Sequence, residues 1–212
     1  MGPEEPGLQY PFDVDGVAQK RGCDGPSRVG GVSGVRLALG VSYRGNAYHG
    51  WQSQPDGCTV QDVLERALSQ FADVPVTTLC AGRTDTGVHG LNQVVHLDAP
   101  VAREPFSWVR GTNRYLPPDV AVQWCQPVAA DFHARNSATG RHYAYILLES
   151  PVRPAIEAGA VGWTFRPLDG EAMRAAADHL LGEHGGWEVS LRQAVQPLHR
   201  GSQPRAADRR PQ

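Results

Sequence analysis

One stretch fixes more of the fold than any other: Val60, Val63, Leu64, Ala67, Leu68 and Phe71 fall at i, i+3, i+4, i+7, i+8 and i+11. That spacing is one face of an amphipathic helix, which must bury itself against another element. Thr59 stands before the run with Asp62 three residues on, resembling a capping box with Asp in place of the usual Glu. Upstream, Leu37, Leu39, Val41 and Tyr43 alternate with smaller residues, the period of a half-buried strand. A loop over 44–57 joins the two. Further strands are expected over Val76–Ala81, Val94–Leu97, Val120–Cys125 and His142–Leu148. A helix over Phe106–Tyr115 is stopped by Pro117 and Pro118. Asp169 opens another, with Met173, Ala176, Leu180 and Leu181 on one face and Gly182 at its end. Strands and helices interleave, so an α+β or α/β fold of packed layers is expected.

Texture sets the outer limits. Residues 1–34 are rich in Gly, Pro and Asp without sustained period, and are expected to be a disordered leader. Residues 185–212 hold five Arg against two carboxylates and are expected to be a disordered basic tail. No run of eighteen apolar residues occurs, which argues against a membrane span. The acidic, h-region-free start argues against a secretory signal. The cysteines, Cys23, Cys58, Cys80 and Cys125, lie at least 22 positions apart, so no CxxC pair exists and a reducing cytoplasm is the simplest compartment. Residues 35–184 carry twelve Arg, no Lys and fifteen carboxylates. That balance gives no broad basic face, although Arg suits bidentate contacts to phosphate or carboxylate.

Three clusters could carry chemistry. Gly82-Arg83-Thr84-Asp85-Thr86-Gly87-Val88-His89-Gly90 follows a strand, and its glycines permit tight turns and close approach of a ligand. Asp85 suits a nucleophile or general base, and Arg83 suits holding a phosphate or orienting that carboxylate. A plain Gly-rich turn with an Asp cap explains the same residues equally well. It matches neither a Rossmann fingerprint nor a P-loop. The second cluster, Tyr43-Arg44-Gly45-Asn46-Ala47-Tyr48-His49-Gly50-Trp51-Gln52-Ser53-Gln54, places aromatics beside amides, as stacking on unpaired bases requires. Its alternative is a loop whose Trp and Tyr plug the core edge. In the third, Phe132 to Ala138 and Arg141 to Tyr145, Arg135 and Arg141 could meet phosphates and Tyr143 a base; the alternative is a strand with Tyr143, Tyr145 and Leu147 packed inward. A metal site built on His49, His89, His96 and His133 is disfavoured, since no HExxH or paired-His spacing occurs.

Taken together, the clusters resemble the TruA family of tRNA pseudouridine synthases. YRGNAYHGWQSQP is similar to that family's opening motif and TVQDVLERAL to its following helix. GRTDTGVHG is similar to GRTDxGVHA, and FHARNSATGRHYAY to FHARFSAxxRxYxY. The resemblance runs from about Val35 to His184. It implies two ferredoxin-like α/β halves, 35–130 with the catalytic loop and 131–184 as an incomplete second half. It implies a homodimer acting on the anticodon arm of tRNA, isomerising uridine to pseudouridine at tRNA positions 38, 39 and 40, without metal or redox cofactor. By the same resemblance Asp85 is the catalytic nucleophile, Arg83 holds the target nucleotide and Tyr143 stacks on the uracil. Thr86, Gly90 and Asn136 stand where Ala, Ala and Phe are typical. After His184 the family's DF-S-F segment, the basic partner of its aspartate and its F-L-x-x-M-V-R helix have no match in this sequence. An alternative expectation follows: a catalytically impaired relative, prone to aggregate, that at most binds RNA weakly.

Overall fold

The computed structural model describes residues 34–184 and 187–189. Its main unit is a four-stranded antiparallel sheet with two helices. Strands β1 (Arg36–Tyr43), β2 (Leu79–Cys80), β3 (Gly90–Asp98) and β4 (Val120–Pro127) lie in the order β2-β3-β1-β4. Helix α1 (Val60–Ala72) joins β1 to β2, and α2 (Pro105–Asn113) joins β3 to β4. This is the β-α-β-β-α-β order of the ferredoxin-like motif. β1 is central, paired to β3 on one side and β4 on the other. Leu37, Leu39 and Val41 meet Val60, Leu64 and Leu68 of α1 and Trp108 of α2 in a single apolar core. Gly40 faces away from that core, where a Cβ would stand 2.0 Å from the Trp124 indole nitrogen; only Gly admits the ring.

The helix read from periodicity forms as expected. Thr59 caps it, its hydroxyl accepting the Asp62 N–H at 3.2 Å and donating to the Asp62 carboxylate. In α2, Pro105 sits at the first turn, where the missing N–H costs nothing.

Several expected elements change. The strand anticipated over Val76–Ala81 is reduced to Leu79–Cys80, because Val76 and Thr78 donate their N–H groups to Ser69 and Glu65 side chains of α1. β3 begins at Gly90, four residues early, since Tyr43 and Val41 supply partners for Gly90 and Gln93. Of the strand expected over His142–Leu148, only the end is realised, as β5 (Leu147–Glu149). It pairs in parallel with β6 (Gly162–Thr164), whose first N–H, that of Gly162, reaches back to the Ile146 carbonyl at 2.8 Å, and the register ends there. Tyr143 and Tyr145 are therefore exposed rather than packed inward. Helix α3 (Gly170–Asp178) is capped by Asp169, which accepts from the Glu171 and Ala172 N–H groups. It stops before Gly182, which instead opens β7 (Gly182–His184). β8 (Trp187–Val189) pairs with β7, so three residues expected in the tail form a hairpin strand. The leader up to residue 33 and the rest of the tail lie outside the described residues. Among the described residues after Ala134, the buried position is Ser150.

Candidate active site

The loop 82–90 leaves β2 at the sheet edge and returns as β3, and three side chains and the Trp51 backbone N–H shape it. Gln93 accepts the Gly82 N–H and donates to the Gly82 carbonyl, clamping the first residue of the loop. Arg141 donates from Nη2 to the Ala81 carbonyl at 2.7 Å. The Tyr43 hydroxyl bonds the Thr84 hydroxyl at 2.8 Å. The Trp51 N–H donates to the Thr84 carbonyl at 2.9 Å. Beyond Thr84 the chain turns, with Val88 N–H donating to the Asp85 carbonyl at 3.2 Å and Gly87 at φ +81°. Positive φ there is what a type II turn demands at its third residue, which explains a Gly after Thr86. The turn leaves Asp85 exposed at the tip.

The second cluster packs against this loop from beneath. Tyr43, Tyr48 and Trp51 are buried, Trp51 to 1%, and the Tyr43 and Trp51 rings lie 5.6 Å apart. These aromatics plug the core edge and do not form an open stacking platform. The Tyr48 hydroxyl donates to Asp119 at 2.8 Å; burial first, then the carboxylate, pushes its pKa above the usual phenol range. Gly50, at φ +86°, lets the 49–54 segment approach so closely that a Cβ would stand 2.7 Å from the Thr84 carbonyl oxygen.

The third cluster docks through β3. The Ala134 N–H donates to Nδ1 of buried His96 at 3.1 Å, and Arg36 donates to the Phe132 carbonyl at 3.0 Å. Those contacts fix Arg135 beside the loop. Burial pushes the Cys80 thiol up, opposed by the nearby Arg135 and Arg83 guanidinium groups.

Two clefts adjoin at Arg83. One, of about 380 Å³, is lined by Arg83, Asp85 and the 49–54 segment. The other, of about 320 Å³, is lined by Gly82, Arg83, Arg135, Arg141 and Tyr143. The structure thus gathers all five residues singled out in the sequence around one loop. Asp85 lies in the first cleft, Tyr143, Arg135 and Arg141 in the second, and Arg83 borders both. Gln93, His96 and Arg36 also position the site; from sequence, His96 stands only as a disfavoured metal ligand and Gln93 and Arg36 have no role, because polar residues within a strand carry no functional signature of their own. The four histidines go to separate partners: His49 to Asp56, His89 to Gly45 and Gly159, His96 to Ala134, and His133 to Asn136.

A family model described as tRNA pseudouridine synthase matches residues 40–136, taking in Arg83, Asp85 and Arg135. The chain is 78% identical over 150 residues to tRNA pseudouridine synthase A of Methylibium petroleiphilum, covering 71% of this chain and 58% of that protein. It is 66% identical over 166 residues to the protein of the same name from Paracidovorax citrulli, covering 77% and 60%. With that of Delftia acidovorans it shares 63% over 171 residues, covering 78% and 61%.

The chain belongs to the TruA family.

It spans about three fifths of the length of these TruA relatives. The glycine-rich loop and the segment that brings Arg135 to it both fall within the span that the TruA family model matches. Arg141 and Tyr143 lie beyond its end. No helix among the described residues is long and apolar enough to cross a membrane.

Proposed function

We propose that the protein acts in tRNA pseudouridine synthesis, with Asp85 as the nucleophile. The observation that carries this reading is Arg83, which borders the cleft of Asp85 and the cleft of Tyr143, Arg135 and Arg141. A uridine turned out of its stack would place its base toward Tyr143, whose ring is 79% exposed and open to stacking. Its flanking phosphates would meet Arg135 and Arg141, each a planar donor suited to phosphate oxygens. Asp85 attacks the nucleoside and bonds to it, the C1′–N1 bond breaks, the base turns, C1′ joins C5, and the bond to Asp85 breaks to return the carboxylate. The C5 proton leaves and N1 gains one, so the isomerisation balances without an oxidant or cofactor. The anticodon stem-loop of tRNA is the proposed substrate, and residues 35–130 and 131–184 the two α/β halves of a cytoplasmic homodimer.

The test introduces Asp85→Ala into the chain continued after His184 with the C-terminal segment of a TruA relative and compares it with the unsubstituted version on a uridine-containing anticodon stem-loop, reading pseudouridine by mass spectrometry after chemical labelling. Loss of a covalent nucleophile lowers the rate by several orders of magnitude. Turnover retained in Asp85→Ala removes Asp85 from the role. A second reading, an impaired relative that binds RNA weakly, is favoured by the exposed apolar side chains after Gly140, including Tyr145, Ile146, Val152 and Ile156. RNA binding without pseudouridine formation by the wild-type chain is its expected result.

A further inference from the structure

His49 belongs to the cleft of Asp85 but to none of the roles above. Three hydrogen bonds anchor it. Its N–H donates to the Cys58 carbonyl at 2.9 Å, and its carbonyl accepts from Gln54 Nε2 at 2.9 Å. Its ring donates from Nδ1 to Asp56 Oδ2 at 2.6 Å. Asp56 is fixed in turn, its other oxygen accepting the Cys58 N–H at 3.1 Å. That N–H, and after it the His49 ring, holds the Asp56 carboxyl below the usual carboxylate range. An ionised carboxylate only accepts, so Nδ1 carries a hydrogen and Nε2 is left for the cleft.

The segment bearing His49 is tied to the segment bearing Asp85. The hydrogen bond from Trp51 N–H to Thr84 O joins them, two residues from His49 and one from Asp85. The close packing of Gly50 on Thr84 reinforces it. A group bound at His49 is therefore held at a set place relative to the carboxylate. The charged groups around the imidazole are Asp56 in its own loop, Arg83 and Asp85 across the cleft, and Asp62 of α1 behind Ser53. Asp85 repels an anion and Arg83 attracts one, so an anion in this cleft is held by Arg83 and the His49 ring together, away from the carboxylate.

Resting on the pseudouridine-synthesis reading, we propose that His49, oriented by Asp56, binds a backbone phosphate of the RNA in the Asp85 cleft and so fixes the reach of the carboxylate to its nucleotide. Protonated imidazole donates from Nε2 to the phosphate as a charge-assisted bond, while the neutral ring presents a lone pair there.

The experiment measures binding of a fluorescent anticodon stem-loop to the full 212-residue chain, as a function of salt, at pH 5.5 and pH 8. The variants are His49→Gln, which cannot gain a proton, and Asp56→Asn. In the wild type, binding weakens several-fold on raising the pH, and the salt slope falls by roughly 0.7 to 0.9 as one phosphate contact loses its charge. In His49→Gln the pH 8 slope applies at both pH values. In Asp56→Asn, which no longer requires the hydrogen on Nδ1 and so no longer fixes the ring, binding at pH 5.5 weakens toward the His49→Gln value. An undiminished pH response in His49→Gln overturns the proposal and leaves the function standing. Absence of RNA binding at either pH overturns the function reading, and the proposal with it.

Discussion

His96 occupies the middle of β3 at 4% exposure, and Nδ1 accepts the Ala134 N–H. Burial above all, then the Arg36 and His133 charges, lowers its pKa. The sign follows. The unfolded chain binds the proton more readily than the folded one, so the stabilisation is complete above the ordinary imidazole pKa and is lost as pH falls through the depressed folded value. Protonation also puts a hydrogen on Nδ1, where an acceptor is needed. Urea unfolding at pH 7 and pH 5 is expected to show a lower midpoint at pH 5. The drop shrinks in His96→Gln, which has no proton to take up. Because Ala134 hangs on this ring, acid should also release Arg135 from the loop of Asp85.

Helix α2 and strand β4 meet through one amide. β4 slips between Gly40 and Val41, so that Gly40 faces Trp124 while Val41 faces Val122. Asn113, the last residue of α2, takes both backbone groups of Val122, donating to its carbonyl and accepting its N–H, each at 2.8 Å. The side chain thus closes the irregularity that the slip opens. Asn113→Ala leaves a donor and an acceptor of a buried residue without that partner, a cost of about 2–3 kcal/mol. Denaturant unfolding should show a lower midpoint with an unchanged slope. Asn113→Asp keeps the acceptor and loses the donor, and should fall between the two.

At the scale of the molecule, the apolar core among the described residues ends with the four-stranded sheet. After Gly140, Ile156 is 92% exposed and Tyr145 86%, and Met173, Leu180 and Leu181 of the α3 region are exposed as well. The two-stranded pairs β5–β6 and β7–β8 cannot cover such side chains, and isolated two-stranded ribbons are marginal in water. The 212-residue chain is expected to self-associate as its concentration rises, and to form little pseudouridine. A chain continued after His184 with the corresponding C-terminal segment of a TruA relative should be monodisperse and more active. Light scattering and pseudouridine yield on one tRNA check both. Equal dispersity and equal turnover would sink the expectation.

What the sequence determined by itself is what neighbours in the chain can decide. The apolar spacing from Val60 to Phe71 with Thr59 before it set α1 and its cap, and the alternation from Leu37 to Tyr43 set β1. The glycines of 82–90 marked a tight loop around Asp85, and the motifs marked Arg83, Arg135, Arg141 and Tyr143. Tertiary structure alone decided where partners come from. The Thr78 N–H goes to Glu65 rather than to a strand, so β2 is short. Gly90–Gln93 extend β3 because β1 lies alongside. Residues 142–146 lack a ladder because β6 is three residues long. Trp51 and Tyr48 are core and Tyr143 is exposed, although all three sit in aromatic, polar loops. Periodicity reports which face of an element is apolar. It carries no information on which distant backbone or side chain will satisfy a hydrogen bond, and those bonds are what hold Asp85 and Arg83 where they are.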